Sequence, residues 1–194
     1  TGGLNYKWNR TEYYKQIDDL LGGSYYVNID SFAERDYASS PSMIQNDLDY
    51  YLQHGAAQIL KKGDKYGYDY YANVRNAGLW ANGALDLGAF KANLALEGGY
   101  VTFWRDGLVR KGLFPGLDEN GQPFEGVITA YDPDGKVITS KGRSEAPEFL
   151  TYSAKLGLQY HIEGGHRVYA NAGYFNDAPT FSQSFISPRT RNTI

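Results

Sequence analysis

The alternation of apolar and polar residues in four stretches constrains the fold of this chain more than any other feature. Apolar side chains lie at odd positions in residues 77–87 and at even positions in residues 92–102. They again lie at even positions in residues 150–162 and 168–174. A period of two is typical of β-strands with one apolar and one polar face. The pattern predicts an all-β fold with long antiparallel strands.

The parity of the stripes also predicts how the stretches pair. A two-residue turn at 87–88 would pair residues whose numbers add to an odd sum, so Leu85 would face Phe90 and both apolar stripes would share one face. The third and fourth stretches keep the same parity, which requires an odd-numbered turn, centred on Gly165. We therefore predict two hairpins with short turns.

Capping signals predict two short helices ahead of these strands. Thr11 can begin a helix that ends at Gly22, because threonine caps helices and glycine ends them. Ser40 followed by Pro41 can begin a second helix, which Gly55 would end.

Composition excludes several classes of protein. Nineteen basic residues against 22 acidic ones give a net charge of −3, which disfavours nucleic-acid binding. The chain has no cysteine, so disulfides, thiolate metal sites and cysteine catalysis are absent. Its three histidines, at 54, 161 and 166, lack metal-ligand spacing. We expect neither an enzyme nor a cofactor. No apolar run approaches the roughly 20 residues of a membrane helix, although a membrane strand needs only about 9–11.

Two architectures fit the alternating strands. A soluble antiparallel domain would alternate in the same way. A transmembrane barrel is favoured because the stretches exceed the usual strand length of about five to six residues, and because short turns alternate with long connections. Aromatic residues also lie towards the strand ends, as at the borders of a membrane. These residues are Tyr68, Tyr70, Tyr71, Tyr100, Trp104, Tyr152, Tyr160 and Tyr174.

Several segments resemble strands of one family of membrane proteins. The segments are KYGYDY at 65–70, AGLW at 77–80, WRDG at 104–107, and the runs 149–160 and 166–179. They are similar to the barrel domain of TonB-dependent outer-membrane receptors, in the branch with a carboxypeptidase-like regulatory domain ahead of the plug. The resemblance covers residues 66–107 and 149–190, roughly half the chain.

The resemblance implies a function in the cell outer membrane. In that family a 22-stranded barrel encloses a plug, and TonB acts through the plug to drive import of a scarce ligand. This chain has neither plug nor TonB box, so we expect an internal piece of a longer receptor, with Thr1 as a cut or processed end. The implied partners are outer-membrane lipid, TonB and an imported iron chelate, vitamin, glycan or peptide. A surface lipoprotein over the loops is a further candidate partner.

The same resemblance divides the chain into parts of one incomplete barrel. These are an extracellular loop region with short helices at 1–65, a transmembrane hairpin at 66–106, an extracellular loop at 107–148, a second transmembrane hairpin at 149–175, and the start of the next extracellular loop at 176–194.

Ligand-binding residues are expected near the outer mouth of this barrel. When the parity of the polar face is extended along the first hairpin, four side chains point inward, namely Tyr68, Tyr70, Phe103 and Arg105. Aromatic rings with polar neighbours suit sugars and aromatic ligands. The alternative function is that of a soluble antiparallel β adhesin or carbohydrate-binding module.

Overall fold

Long antiparallel strands make up most of the structure, a computed structural model that describes residues 1–194. The strands are β1 (Gly2–Gln16), β2 (Tyr26–Val27), β3 (Ile59–Leu60), β4 (Lys65–Leu87), β5 (Phe90–Gly107), β6 (Gly142–Arg143), β7 (Glu148–Ile162) and β8 (His166–Asn176). The helices are α1 (Ser31–Tyr37), α2 (Leu48–His54) and α3 (Phe181–Ser184). Strands hold 48% of the residues and helices 9%, which confirms the prediction of an all-β fold.

The main sheet is open and has the order β1-β4-β5-β7-β8, with β6 paired to β5. β2 and β3 form a separate small sheet. The chain divides into two compact units. The first, here called the sheet unit, comprises Thr1–Asn9, Val74–Phe103 and Pro147–Thr180. The second, here called the loop unit, comprises Arg10–Asn73, Trp104–Ala146 and Phe181–Ile194.

The strand register of the sheet unit brings the predicted apolar stripes together. Leu94 pairs with Leu156, and Leu156 pairs with Ala172 on its other side. Because the partners have the same parity in all three strands, the even positions form one continuous face. Lys155 lies on the opposite face, between Ala95 and Gly173. The predicted parity of the second hairpin is confirmed.

Both tight turns lie at the same end of the sheet unit. The first turn is Gly88-Ala89, one residue later than predicted, and the backbone N–H of His161 donates to Ala89 O at 2.7 Å. The second turn has three residues, as an odd-numbered loop requires, but it is centred on Gly164 and not on Gly165. Both of these glycines have positive φ, of 87° and 84°, which favours glycine there.

The apolar face of the sheet unit is exposed. Ten of its large side chains have exposed fractions between 41% and 73%, whereas Phe90, Tyr100 and Leu158 are half-buried. The ten are Leu79, Leu85, Leu87, Leu94, Leu96, Leu150, Leu156, Tyr160, Val168 and Tyr174. The polar face is exposed too, at residues such as Lys91, Glu97 and Lys155. This unit therefore has no buried core between two layers.

The predicted helix from Thr11 to Gly22 is wrong, because β1 occupies residues up to Gln16. The segment is rich in aromatic residues, which favour strands, and β1 pairs with β4. One contact along this pair places the Arg75 guanidinium 5.3 Å from the Trp8 ring. Pairing with a distant strand has outweighed a local capping signal.

The second predicted helix ends where expected but begins later. α2 begins at Leu48, where the Asp47 carboxylate caps it by accepting the N–H of Tyr50 at 3.0 Å. The predicted start at Ser40 and Pro41 is not helical, and residues 41–44 lie in turns. Gly55 ends the helix with a φ of 68°, as predicted. None of the three helices has the length and apolar character needed to cross a bilayer.

Candidate ligand-binding site

A buried arginine organises part of the loop unit. Arg105, near the end of β5, is only 2% exposed. Its Nε donates to Pro188 O at 2.6 Å, and its Nη1 donates to Ser140 O at 2.6 Å and to Asn192 Oδ1. Two backbone carbonyl oxygens and one side-chain amide oxygen thus accept hydrogen bonds from the buried guanidinium. The side chain joins β5 to two segments that are distant in sequence.

Three of the four predicted site residues lie together in the loop unit. The Arg105 guanidinium lies 4.8 Å from the centre of the Tyr70 ring, and the centres of the Tyr68 and Tyr70 rings are 6.0 Å apart. Tyr70 is buried and stacks on Tyr13 at 5.2 Å. Phe103, the fourth residue, belongs to the sheet unit and is 1% exposed. Their role in ligand binding stays a prediction.

A pocket of about 220 Å³ opens beside Tyr68. We call it the Lys111 pocket. Three cations line it: Lys15, Lys111 and Arg189. Three tyrosine rings also line it: Tyr26, Tyr66 and Tyr68. Asp30 supplies a carboxylate and Asn46 an amide.

Lys111 brings a buried cation to this pocket. The residue is 6% exposed, and its Nζ donates to Asn46 Oδ1 at 2.6 Å. The nearest carboxylate oxygen, Oδ2 of Asp30, is 3.8 Å from Nζ. Burial lowers the pKa of Lys111 to about 8, although Asp30 favours the charged form. A buried ammonium group is costly unless it is well paired, and here its closest partner is a neutral amide.

The other two cations lie against tyrosine rings. Lys15 Nζ is 5.4 Å from the centre of the Tyr66 ring and 5.6 Å from that of Tyr68. The Arg189 guanidinium carbon lies 5.5 Å from the centre of the Tyr68 ring. Both residues are exposed, and neither has a carboxylate oxygen within 4 Å. The rings hold the two cations near the pocket without neutralising them.

The floor of the pocket is fixed by hydrogen bonds from separate segments. Asp30 caps α1 with Oδ1, which accepts the N–H groups of Phe32 and Ala33, so its other oxygen faces Lys111. The N–H of Lys111 donates to Ser140 Oγ at 2.8 Å. The N–H of Asn46 donates to Asn28 O at 3.2 Å. These hydrogen bonds fix the positions of Asp30, Lys111 and Asn46 at the pocket.

Sequence reasoning missed the cations of the pocket. Lys15 comes from β1, Lys111 from the segment after β5, and Arg189 from the segment after α3. No spacing pattern in the sequence relates three residues so far apart, and only the folded loop unit brings them together.

The Lys111 pocket presents hydrogen-bond donors and aromatic rings, and the structure contains no group of three or more histidine, aspartate or glutamate side chains that could hold a metal ion. Comparison of the chain with protein-family models, with curated proteins and with solved structures finds no match.

Proposed function

We propose that this chain is a segment of the transmembrane barrel of a TonB-dependent outer-membrane receptor that binds and imports a scarce nutrient ligand. The observation that carries the proposal is the exposed, continuous apolar face of the sheet unit. Leu94, Leu156 and Ala172 form one row of this face, and its large side chains remain accessible on every strand. Soluble monomers rarely expose apolar patches of more than a few hundred Å². Lipid acyl chains would cover this face.

The spacing of two aromatic residues along β7 supports the proposal that this strand crosses a membrane. Tyr152 lies towards one end of the strand, where its ring stacks on that of Tyr174 at 5.9 Å. Tyr160 lies towards the other end, opposite Phe90. Eight residues separate the two tyrosines of β7, or about 26 Å at about 3.3 Å per residue. Strands of outer-membrane barrels are tilted by about 35–45°, so this length covers about 19–22 Å along the membrane normal, which is most of their apolar band of about 25 Å.

The lengths of the connections between strands support the proposal and indicate which end of the strands faces outward. Both tight turns lie at one end of the sheet unit, whereas residues 108–147 form the long connection from β5 to β7. Short periplasmic turns and long extracellular loops are typical of outer-membrane barrels. On this proposal residues 108–147, which include Lys111, are an extracellular connection that meets the ligand. The polar face with Lys155 and Glu97 would line the wet interior.

Single-cysteine labelling tests the proposal directly. Residues 1–194 contain no cysteine, so each cysteine introduced along residues 150–162 is the single spin-label site in this part of the protein. The intact protein would be folded into phospholipid vesicles, and the accessibility of each label to oxygen and to a water-soluble nickel chelate would be measured. We expect oxygen accessibility to peak at even positions and nickel accessibility at odd positions, because only the even face meets lipid.

Two results would count against the receptor proposal. High nickel accessibility on both faces would place the sheet in water, and low accessibility to both reagents at even positions would mean that another protein layer covers the leucines. The alternative, a soluble adhesin or carbohydrate-binding module, would be favoured if the protein were a soluble monomer that melts cooperatively and does not bind to vesicles.

A further inference from the structure

We infer that the Lys111 pocket binds an organic carboxylate with a ring-shaped body. This inference rests on the proposed receptor function, because it names the class of ligand that the receptor would bind. Three cations and one carboxylate line the pocket, an excess of two positive charges in a chain whose net charge is −3. A local positive surplus in a negatively charged chain attracts anions.

Burial and geometry place the anionic group of the ligand at Lys111. Its ammonium group carries three N–H donors, of which one bonds Asn46 at 2.6 Å, while Asp30 stays 3.8 Å away. A carboxylate that enters the pocket can therefore accept a hydrogen bond from Lys111. This charge-assisted bond would compensate for the burial of the cation.

The rings determine the shape of the rest of the ligand. Tyr26 and Tyr66 meet edge to face at 5.2 Å, and Tyr68 continues the aromatic wall. Flat faces of this kind contact the rings of aromatic compounds and the apolar faces of sugars. The volume of about 220 Å³ is below the about 300–1,000 Å³ of pockets for drug-sized ligands, so it fits one ring.

Binding of 4-fluorobenzoate to the intact protein tests the inference. The control ligand is 4-fluorobenzamide, which has the same ring but a neutral amide in place of the carboxylate. Binding of each compound is measured from the relaxation of its ¹⁹F signal. We expect the carboxylate to bind at least about tenfold more tightly than the amide. Lys15→Gln and Arg189→Gln are each expected to raise the Kd of 4-fluorobenzoate about three- to fivefold. Lys111→Gln is expected to raise it by about tenfold or more.

Lys62→Gln is the control variant, because Lys62 is exposed and does not line the pocket. Equal binding of the two probes, or unchanged affinity in both Lys15→Gln and Arg189→Gln, would overturn the inference even if Lys111→Gln fails to fold. Tighter binding of inorganic phosphate than of 4-fluorobenzoate would overturn the role of the rings. This assay measures ligand affinity and not contact with lipid, and it can be run on the folded protein in detergent or in buffer, so it fails or succeeds separately from the labelling experiment.

Binding of 4-fluorobenzoate should also depend on pH. Because burial lowers the pKa of Lys111 to about 8, we expect affinity to fall about tenfold between about pH 7 and about pH 9. Asp30, Lys15, Arg189 and the three tyrosines are the other ionisable groups that face the pocket. Deprotonation of Lys111 removes a buried charge and therefore stabilises the fold over this range, so lost binding would not reflect unfolding. A flat profile up to about pH 9 would exclude Lys111 from the contact.

Discussion

Leu156→Arg is expected to destabilise the intact protein in a lipid bilayer by about 2–4 kcal/mol. Leu156 is central among the paired strands, between Leu94 and Ala172, and its side chain is 41% exposed on the apolar face. On the barrel hypothesis this position lies near the bilayer midplane, where a guanidinium loses its hydration. The measurement is the free energy of unfolding from guanidinium titrations in phospholipid vesicles.

The neighbouring change Lys155→Leu is the matched control. Lys155 lies on the opposite face, where its ammonium group is 5.3 Å from the centre of the Phe175 ring. Its loss should change stability by less than about 1 kcal/mol, since the contact is exposed to water. Equal tolerance of both substitutions would contradict a lipid-facing role for Leu156.

Gly112→Ala is expected to destabilise the loop unit by about 3 kcal/mol and to weaken 4-fluorobenzoate binding with it. A Cβ at this position would clash with Ser42 O and would lie 2.8 Å from both the carbonyl carbon and the oxygen of Met43. Backbone atoms cannot rotate away, so the segment must move, and Lys111 is the adjacent residue. Thermal unfolding of the intact protein and hydrogen exchange of residues 40–48 and 105–115 measure the effect.

Gly83→Ala is the control for this prediction. Nothing lies within 4 Å of a Cβ built on Gly83, and its φ is not positive. Alanine should be neutral or slightly stabilising in this strand. If Gly112→Ala melted like Gly83→Ala, the close packing of Gly112 against Ser42 and Met43 would be refuted.

Strand pairing within each hairpin was predictable because its signal is local. The parity of residues 150–162 and 168–174 is enough to require an odd-numbered turn, and the structure has one of three residues. The pattern predicted less well which residues form each turn. Parity cannot distinguish a turn at 87–88 from the observed turn at Gly88-Ala89, since both give odd sums.

Contacts between distant segments were not predictable. β1 carries a capping residue and apolar spacing that fit a helix, and only its pairing with β4 selects the strand. The candidate site shows the same limit. Tyr68, Tyr70 and Arg105 share a face of neighbouring strands and could be grouped by parity, whereas Lys111 joins Tyr68 only through the folded loops.

The guanidinium of Arg105 has a consequence for how the outer segments become ordered. It holds Ser140 and Pro188 at once through their carbonyl oxygens, and Asn192 through its side chain. The loops that carry these three acceptors are therefore fixed by one donor group. Once one loop has bound Arg105, the entropic cost of closing the other loops is lower. We expect these segments to order in a single cooperative step and to move as a single unit.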